Sequence, residues 1–112
     1  MKKGEIWWAS LGEPRGSEPG FRRPVIIVSS NEFNDSRINT VLAVVVTSNL
    51  RLADAPGNIL LEKKHSKLAK DSVINVSQLI TVDKEFLTEK ISKLNTQHLN
   101  ALNEGLRLVL GL

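Results

Sequence analysis

Taken as a pattern of apolar and polar positions, the chain is a series of short β-type runs followed by one helical stretch. Val25 to Val28 is four β-branched residues in a row, the mark of a strand buried on both faces, and Pro24 opens it. Thr40 to Ser48 is the strongest run; its apolar middle, Val41 to Val46, predicts a strand central in the sheet, with Thr47 where the run ends. Glu5 to Leu11 alternates, placing Ile6, Trp8 and Ser10 on one side and Trp7, Ala9 and Leu11 on the other. One tryptophan is therefore expected in the core and the other partly exposed or in an interface. A shorter strand is expected through Asn58 to Glu62, and Asp71 to Val82 predicts one bent strand or two. Asp83 to Lys93 turns to a charged, helical composition. From Asn95 or Thr96, either of them an N-cap, Leu99, Leu102, Leu106 and Val109 fall on one helical face, and Gly111 marks its end.

The connections are polar. Gly12 to Arg22, rich in Gly, Pro, Ser and Glu, is long for a compact domain, and such loops tend to carry function. Ser29 to Asn39 reads as loop or a single helical turn, and Asn49 to Gly57 as a second loop. No internal repeat or domain boundary is visible, so residues 1–112 are expected to form one domain. Five or six short strands sharing one small core favour a mainly β fold, a strongly bent barrel-like sheet with a C-terminal helix. The leucine stripe on that helix reads as core or dimer packing.

Composition narrows the class. The chain has 112 residues, 41% of them hydrophobic and 24% charged, an ordinary globular balance. Without cysteine there is no disulfide or thiolate metal site, which fits a reducing compartment. The N-terminus is basic, but Glu5 and the stretch Ser10 to Pro14 interrupt the apolar run behind it. No signal peptide or spanning helix is expected, and the protein reads as soluble and cytoplasmic. A net charge of +3 is too small to announce a nucleic-acid binder, but its distribution says more. Lys63 to Lys70 carries four lysines and no acid, and Arg22 and Arg23 form a second basic spot. On one face these make a positive field suited to a phosphate backbone; apart, they are solvated surface charge.

His65 and His98 have no carboxylates at ligand spacing, so no metal and no cofactor are expected. Nor is there a Gly-rich phosphate loop, a nucleophile elbow or a cysteine nucleophile. What remains are polar residues at the ends of strong strands: Arg23 before one, Thr47 after another, Ser77 and Gln78 within a third. Cleaving RNA without a metal requires a base for the 2′-OH, an acid for the leaving oxygen, and positive charge on the phosphorane-like transition state. Arg23 meets the last need, since its planar fork fits two phosphate oxygens, and Thr47 offers a hydrogen bond to the same phosphate. A guanidinium is a poor proton acceptor, so the base is left unassigned. Considered singly, these residues are equally well a solvated arginine pair and a strand-end hydroxyl.

Together they resemble a known family. Lys-Gly-Glu-Ile-Trp-Trp-Ala-Ser-Leu (3–11), Gly16-Ser17-Glu18-Pro19-Gly20, Arg23-Pro24-Val25-Ile26-Ile27-Val28 and Val44-Val45-Val46-Thr47-Ser48 look like the MazF/PemK toxins. Asp71-Ser72-Val73, Gln78, Thr81-Val82-Asp83-Lys84 and the closing Leu-Gly-Leu extend the match in order, from Lys3 to Leu112. The resemblance implies the MazF/PemK/CcdB-like fold, a small SH3-like barrel with a C-terminal helix, working as a homodimer. It implies a ribosome-independent, sequence-specific endoribonuclease that cuts single-stranded mRNA without a metal, leaves 2′,3′-cyclic phosphate and 5′-OH ends, and stops translation and growth. It also implies an antitoxin partner, whose acidic disordered tail would suit a positive cleft, and no membrane association.

Carried over by position, Arg23 and Thr47 would be the catalytic pair. Gly16, Ser17, Glu18, Gly20 and Arg22 would border the RNA, with Ser48, Ser77 and Gln78 as further substrate contacts. One branch of the family has an arginine and an aspartate before that glutamine, where this chain has Asn75 and Ser77. A base borrowed from that branch is therefore missing. Two other classes remain: a toxin of the same fold that binds a protein such as gyrase without catalysis, and an SH3-like RNA-binding module.

Overall fold

The run Val41–Val46 lies where its apolarity requires. In the computed structural model, which describes residues 1–13, 16 and 21–112, it forms most of β3 (Thr40–Thr47), flanked on both sides by other strands. With β1 (Glu5–Ser10), β2 (Arg22–Ile27), β4 (Ile59–Leu61), β5 (Ser72–Asp83) and β6 (Leu87–Lys93) it makes a six-stranded antiparallel sheet in the order β4-β5-β3-β2-β1-β6. Single helical turns, α1 (Asn31–Asn34) and α2 (Lys63–Ser66), sit in the connections, as do 3-10 turns at Leu50–Asp54 and Lys84–Phe86. The closing helix α3 (Thr96–Leu110) is capped by the Asn95 side chain at its start and by Gly111 in the left-handed region at its end. The terminal strands β4 and β6 are not paired to each other, so the sheet curls into a half-barrel, not a closed one.

Alternation sorts the strands into two apolar layers. Ile6, Ile26, Val44, Val46, Ile74 and Val76 share one cluster with Leu102 of α3, against which Leu99 and Leu106 also pack. Ala9, Val25, Ile27, Val41, Ala43 and Val45 form the other, with Trp7 and Leu11 at its margin. The predicted parity of β1 is therefore observed, and both tryptophans end up half-buried. The helix approaches the chain before β4 so closely that a Cβ on Gly105 would lie 2.3 Å from the Gly57 carbonyl oxygen.

β5 is one bent strand. Its pairing with β3 jumps from Val44 opposite Leu79 to Val45 opposite Asn75, leaving Val76–Gln78 as a bulge. Asn58 holds the bend: its Oδ1 accepts the Val76 N–H (2.9 Å), and its Nδ2 donates to the Leu52 carbonyl (2.9 Å) and Asn75 Oδ1 (3.1 Å). At the other side of the sheet, Glu5 ties the N-terminus to β6. Its Oε1 accepts the Lys2 N–H (2.9 Å) and Trp7 Nε1–H (3.0 Å), and its Oε2 meets Lys90 Nζ at 2.9 Å.

Two expectations are corrected. Residues 83–93 are not helical: after one 3-10 turn they form the edge strand β6, hydrogen-bonded to β1 with two register shifts. Its charges, Glu89, Lys90 and Lys93, lie on an exposed edge strand, where charge prevents pairing with another chain. Arg22 and Arg23 do not precede the strand but begin it, paired to Ser10 and Ala9 of β1.

Candidate active site

The β2–β3 ladder has its last pair at Val25 opposite Val45, one residue past Pro24, which has no N–H to contribute. Carried two positions further along both strands, the same register sets Arg23 opposite Thr47. The two also share the sheet face of Val25 and Val45, since each is two residues from its neighbour. Arg23 is exposed and Thr47 half-buried. The Thr47 hydroxyl oxygen accepts the Asn49 N–H at 3.2 Å, which leaves its proton to donate outward. On the next strand Asn75 stands opposite Val45 on this face, buried and bonded to Asn58, with the Ser77 hydroxyl 3.4 Å from its Oδ1. Ser77 and Gln78 belong to the β5 bulge, which falls opposite the Val44–Val45 step; Thr47 itself is paired with Val73, further along β5.

Around the same strand ends opens a cleft of about 280 Å³, lined by Trp8, Arg22, Arg23, Ser48 and Lys70 among others. Val46 and Ser48 line it and Thr47 does not. By the alternation, Trp8, Arg22, Val46 and Ser48 lie on the Ile6 and Val44 face, opposite that of Arg23 and Thr47, and Arg23 alone of that pair reaches the cleft. Arg22 is fixed in its wall: the guanidinium lies 4.2 Å from the Trp8 ring centroid and 3.7 Å from Glu89 Oε2. Phe21, just ahead, holds a left-handed backbone (φ 60°), its carbonyl accepting the Leu11 N–H (2.7 Å), and its side chain is 63% exposed. The far wall comes from the lysine-rich segment, whose Leu68, Ala69 and Lys70 face the arginines.

Of the two basic spots of the sequence, Arg22 and Arg23 meet only Lys70 of the lysine run in this cleft; Lys64 and Lys67 line a separate groove. Of the expected substrate contacts, Arg22 and Ser48 lie in it, Gly16 is an exposed left-handed glycine in the β1–β2 loop (φ 57°), and Ser17, Glu18 and Gly20 lie outside the described residues. Trp8 as the shelf under Arg22 and Glu89 as its counter-ion were not anticipated; the period-2 pattern put Trp8 on the Ile6 face but could not say which strand end it would meet. The histidines are elsewhere. His65 and His98 rings sit 5.3 Å apart at the start of α3, and burial, then His65, pushes the His98 imidazole down in pKa against a smaller opposing pull from Glu62. Among the described residues, no three histidines, carboxylates or cysteines converge as a metal site would require.

Chemically, the strand ends offer an exposed cation and a hydroxyl donor, with a second arginine on an aromatic shelf in the adjoining cleft. Such a set binds a phosphodiester and stabilises added charge on it.

A family model described as the PemK-like, MazF-like toxin of type II toxin–antitoxin systems matches residues 2–110. Endoribonuclease MazF6 of Mycobacterium tuberculosis is 42% identical over 112 residues, covering 100% of this chain and 98% of that protein. Endoribonuclease MazF of Staphylococcus saprophyticus is 35% identical over 112 residues, 100% of this chain and 92% of that one. Among solved structures, MazF from Deinococcus radiodurans superposes with a TM-score of 0.81 at 21% identity, covering 100% and 97% of the two chains. A mycobacterial endoribonuclease in complex with its cognate antitoxin gives a TM-score of 0.81 at 23% identity, covering 100% and 96%.

Proposed function

The chain belongs to the PemK-like, MazF-like toxin family, and from that premise we propose that Arg23 and Thr47 are the pair with which it cuts RNA. It is the toxin of a type II toxin–antitoxin system and an endoribonuclease. The observation that supports the site assignment is the end of the β2–β3 ladder at Val25 opposite Val45, a register that, carried two residues on, sets Arg23 opposite Thr47. It favours a single scissile phosphate gripped from two adjacent strands.

In this reading the substrate's 2′-OH attacks the adjacent phosphorus, the P–O5′ bond breaks, and the products are a 2′,3′-cyclic phosphate and a 5′-OH. The Arg23 guanidinium neutralises charge building on the non-bridging oxygens, and the Thr47 hydroxyl donates to one of them. Rigid strands hold both groups, so little reorganisation is needed as the charge develops. Arg22 over Trp8, with Ser48 and Lys70, positions the flanking backbone, and Ser77 and Gln78 border the path on the other side. Neither Arg23 nor Thr47 is a proton acceptor suited to the 2′-OH, so the base that takes its proton, and the acid that supplies one to the leaving O5′, are groups outside this pair. The chemistry asks for no metal.

The same reading gives partners. The cleft's positive charge beside a half-exposed tryptophan suits the acidic, partly apolar tail of an antitoxin. Apolar residues at and just past the end of α3 stand exposed, Leu108 at 63%, Leu110 at 49% and Leu112 at 86%, which suits a homodimer built on that helix end. Its place is the cytoplasm, where mRNA and antitoxin are found together; no helix among the described residues is long and apolar enough to cross a membrane.

Incubating the purified protein with a long single-stranded RNA in the presence of a chelator tests the reaction. Discrete cuts with 5′-OH and 2′,3′-cyclic phosphate ends are expected; 5′-phosphate ends, or cutting only when a divalent ion is supplied, would overturn the mechanism.

A further inference from the structure

Resting on that reading, we infer that a lysine-lined groove between α2 and the edge strand β6 is a second RNA-contacting surface, which takes the phosphate backbone of the strand running past the cut. The groove has a volume of about 450 Å³ and is walled by Lys64, His65 and Lys67 on one side and Lys90, Ser92 and Lys93 on the other. It runs into a larger depression of about 680 Å³ that shares Lys90 and Lys93 and adds Lys2 and Lys3. Two carboxylates answer these lysines: Glu5, 2.9 Å from Lys90, and Glu62, 3.9 Å from Lys64. Among the described residues Lys2, Lys3, Lys67 and Lys93 make no ion pair. Six lysines against two carboxylates leave this face a larger positive surplus than the +3 of the whole chain, so the charge is concentrated here.

The groove and the arginine cleft are neighbours along two elements. The segment after α2 borders both: Lys67 faces the groove, while Leu68, Ala69 and Lys70 face the arginine cleft. On β6, Glu89 holds Arg22 in the cleft and the next residue, Lys90, lines the groove. Lys67 also occupies the left-handed C-cap position of α2 (φ 65°), where glycine or asparagine is the unstrained choice. A long cation kept at that position, on the ridge between cleft and groove, is what a backbone crossing from one to the other requires. No tryptophan or phenylalanine lines the groove, and its charges are flexible ammonium groups. It therefore grips phosphates without reading bases, and adds affinity for long RNA without altering the cut sequence.

The test compares the full-length protein with the triple variant Lys64→Ala, Lys67→Ala, Lys93→Ala, leaving Lys90 on Glu5. Binding of a long RNA is measured against salt, and cleavage is measured on the long RNA and on a short oligonucleotide spanning only the cut. Three lost phosphate contacts on a single strand reduce the slope of log K against log salt by about two. Between about 50 and about 200 mM salt the wild type then loses about 15- to 20-fold more affinity than the variant. KM for the long RNA rises while kcat, and all constants for the short oligonucleotide, stay unchanged; the matching Lys→Arg variant keeps the wild-type slope. An unchanged slope and an unchanged KM for the long RNA overturn the inference. So does a variant that loses affinity for an acidic antitoxin peptide but not for RNA. If the protein binds RNA with the expected slope change yet never cuts it, the groove stands and the proposed reaction falls.

Discussion

Glu5 joins three parts of the chain, and its charge predicts a specific pH dependence of stability. Burial pushes the Glu5 carboxyl up in pKa, but the Lys2 backbone N–H, the Lys90 ammonium and the Trp7 indole N–H outweigh it and hold the group at about 2, against an ordinary 4.5. That difference amounts to about 3 kcal/mol favouring the folded state. The folded pKa lies below the unfolded one, so the stabilisation is fully present above about pH 5 and is lost as pH falls toward about 2. It is about 1.5 kcal/mol near pH 3 and under about 0.5 kcal/mol near pH 2. Glu5→Gln keeps the shape and an acceptor oxygen for Lys2 and Trp7 while removing the charge. Urea unfolding at neutral pH should show the variant less stable by about 2–3 kcal/mol, or roughly 10 °C in Tm. Repeated near pH 3, the gap should fall to about half, and near pH 2 it should nearly close. A gap independent of pH, or none at neutral pH, refutes the reasoning, because either result means that the carboxylate's charge contributes nothing to the fold.

Two further substitutions probe the packing and the site. Gly105→Ala gains about 1 kcal/mol in helix propensity but drives a methyl into the Gly57 carbonyl, backbone against backbone, so a net loss of about 2 kcal/mol is expected in chemical denaturation; a more stable variant contradicts the close approach. Thr47→Val removes the hydroxyl while keeping the β-branched shape of a strand residue, and should lower single-turnover cleavage about 100-fold with the melting curve little changed, whereas Thr47→Ser should retain most of the rate; equal rates for valine and threonine would remove Thr47 from the site.

What the sequence revealed and what it hid follow from local and non-local causes. Val41–Val46 could be nothing but a buried strand, and the Leu99, Leu102, Leu106 spacing with Asn95 and Gly111 at its ends specified α3 in full, because pattern and caps are local. The 83–93 segment misled for a local reason as well: Asp83, Lys84, Glu85, Glu89, Lys90 and Lys93 give it the charged composition of a solvated helix. It is β1, through two register shifts, that turns Leu87–Lys93 into an edge strand. Arg23 and Thr47 could be picked out as strand-end residues, but the β2–β3 register that, carried past its last pair at Val25 and Val45, sets them opposite each other is something no local pattern carries. The same holds for Arg22 on Trp8, and for the bulge at Val76–Gln78, which Asn58 fixes from 18 residues away.

The account rests on Arg23 as the cation at the scissile phosphate, and its most direct test is the single-turnover cleavage rate of Arg23→Ala on an RNA the wild type cuts, with folding checked by the unfolding curve. The side chain is exposed, so the fold should survive while the rate falls about 100- to 1,000-fold, with Arg23→Lys recovering only part because a single ammonium cannot make the two-oxygen contact. A folded Arg23→Ala protein that cleaves at the wild-type rate contradicts the account.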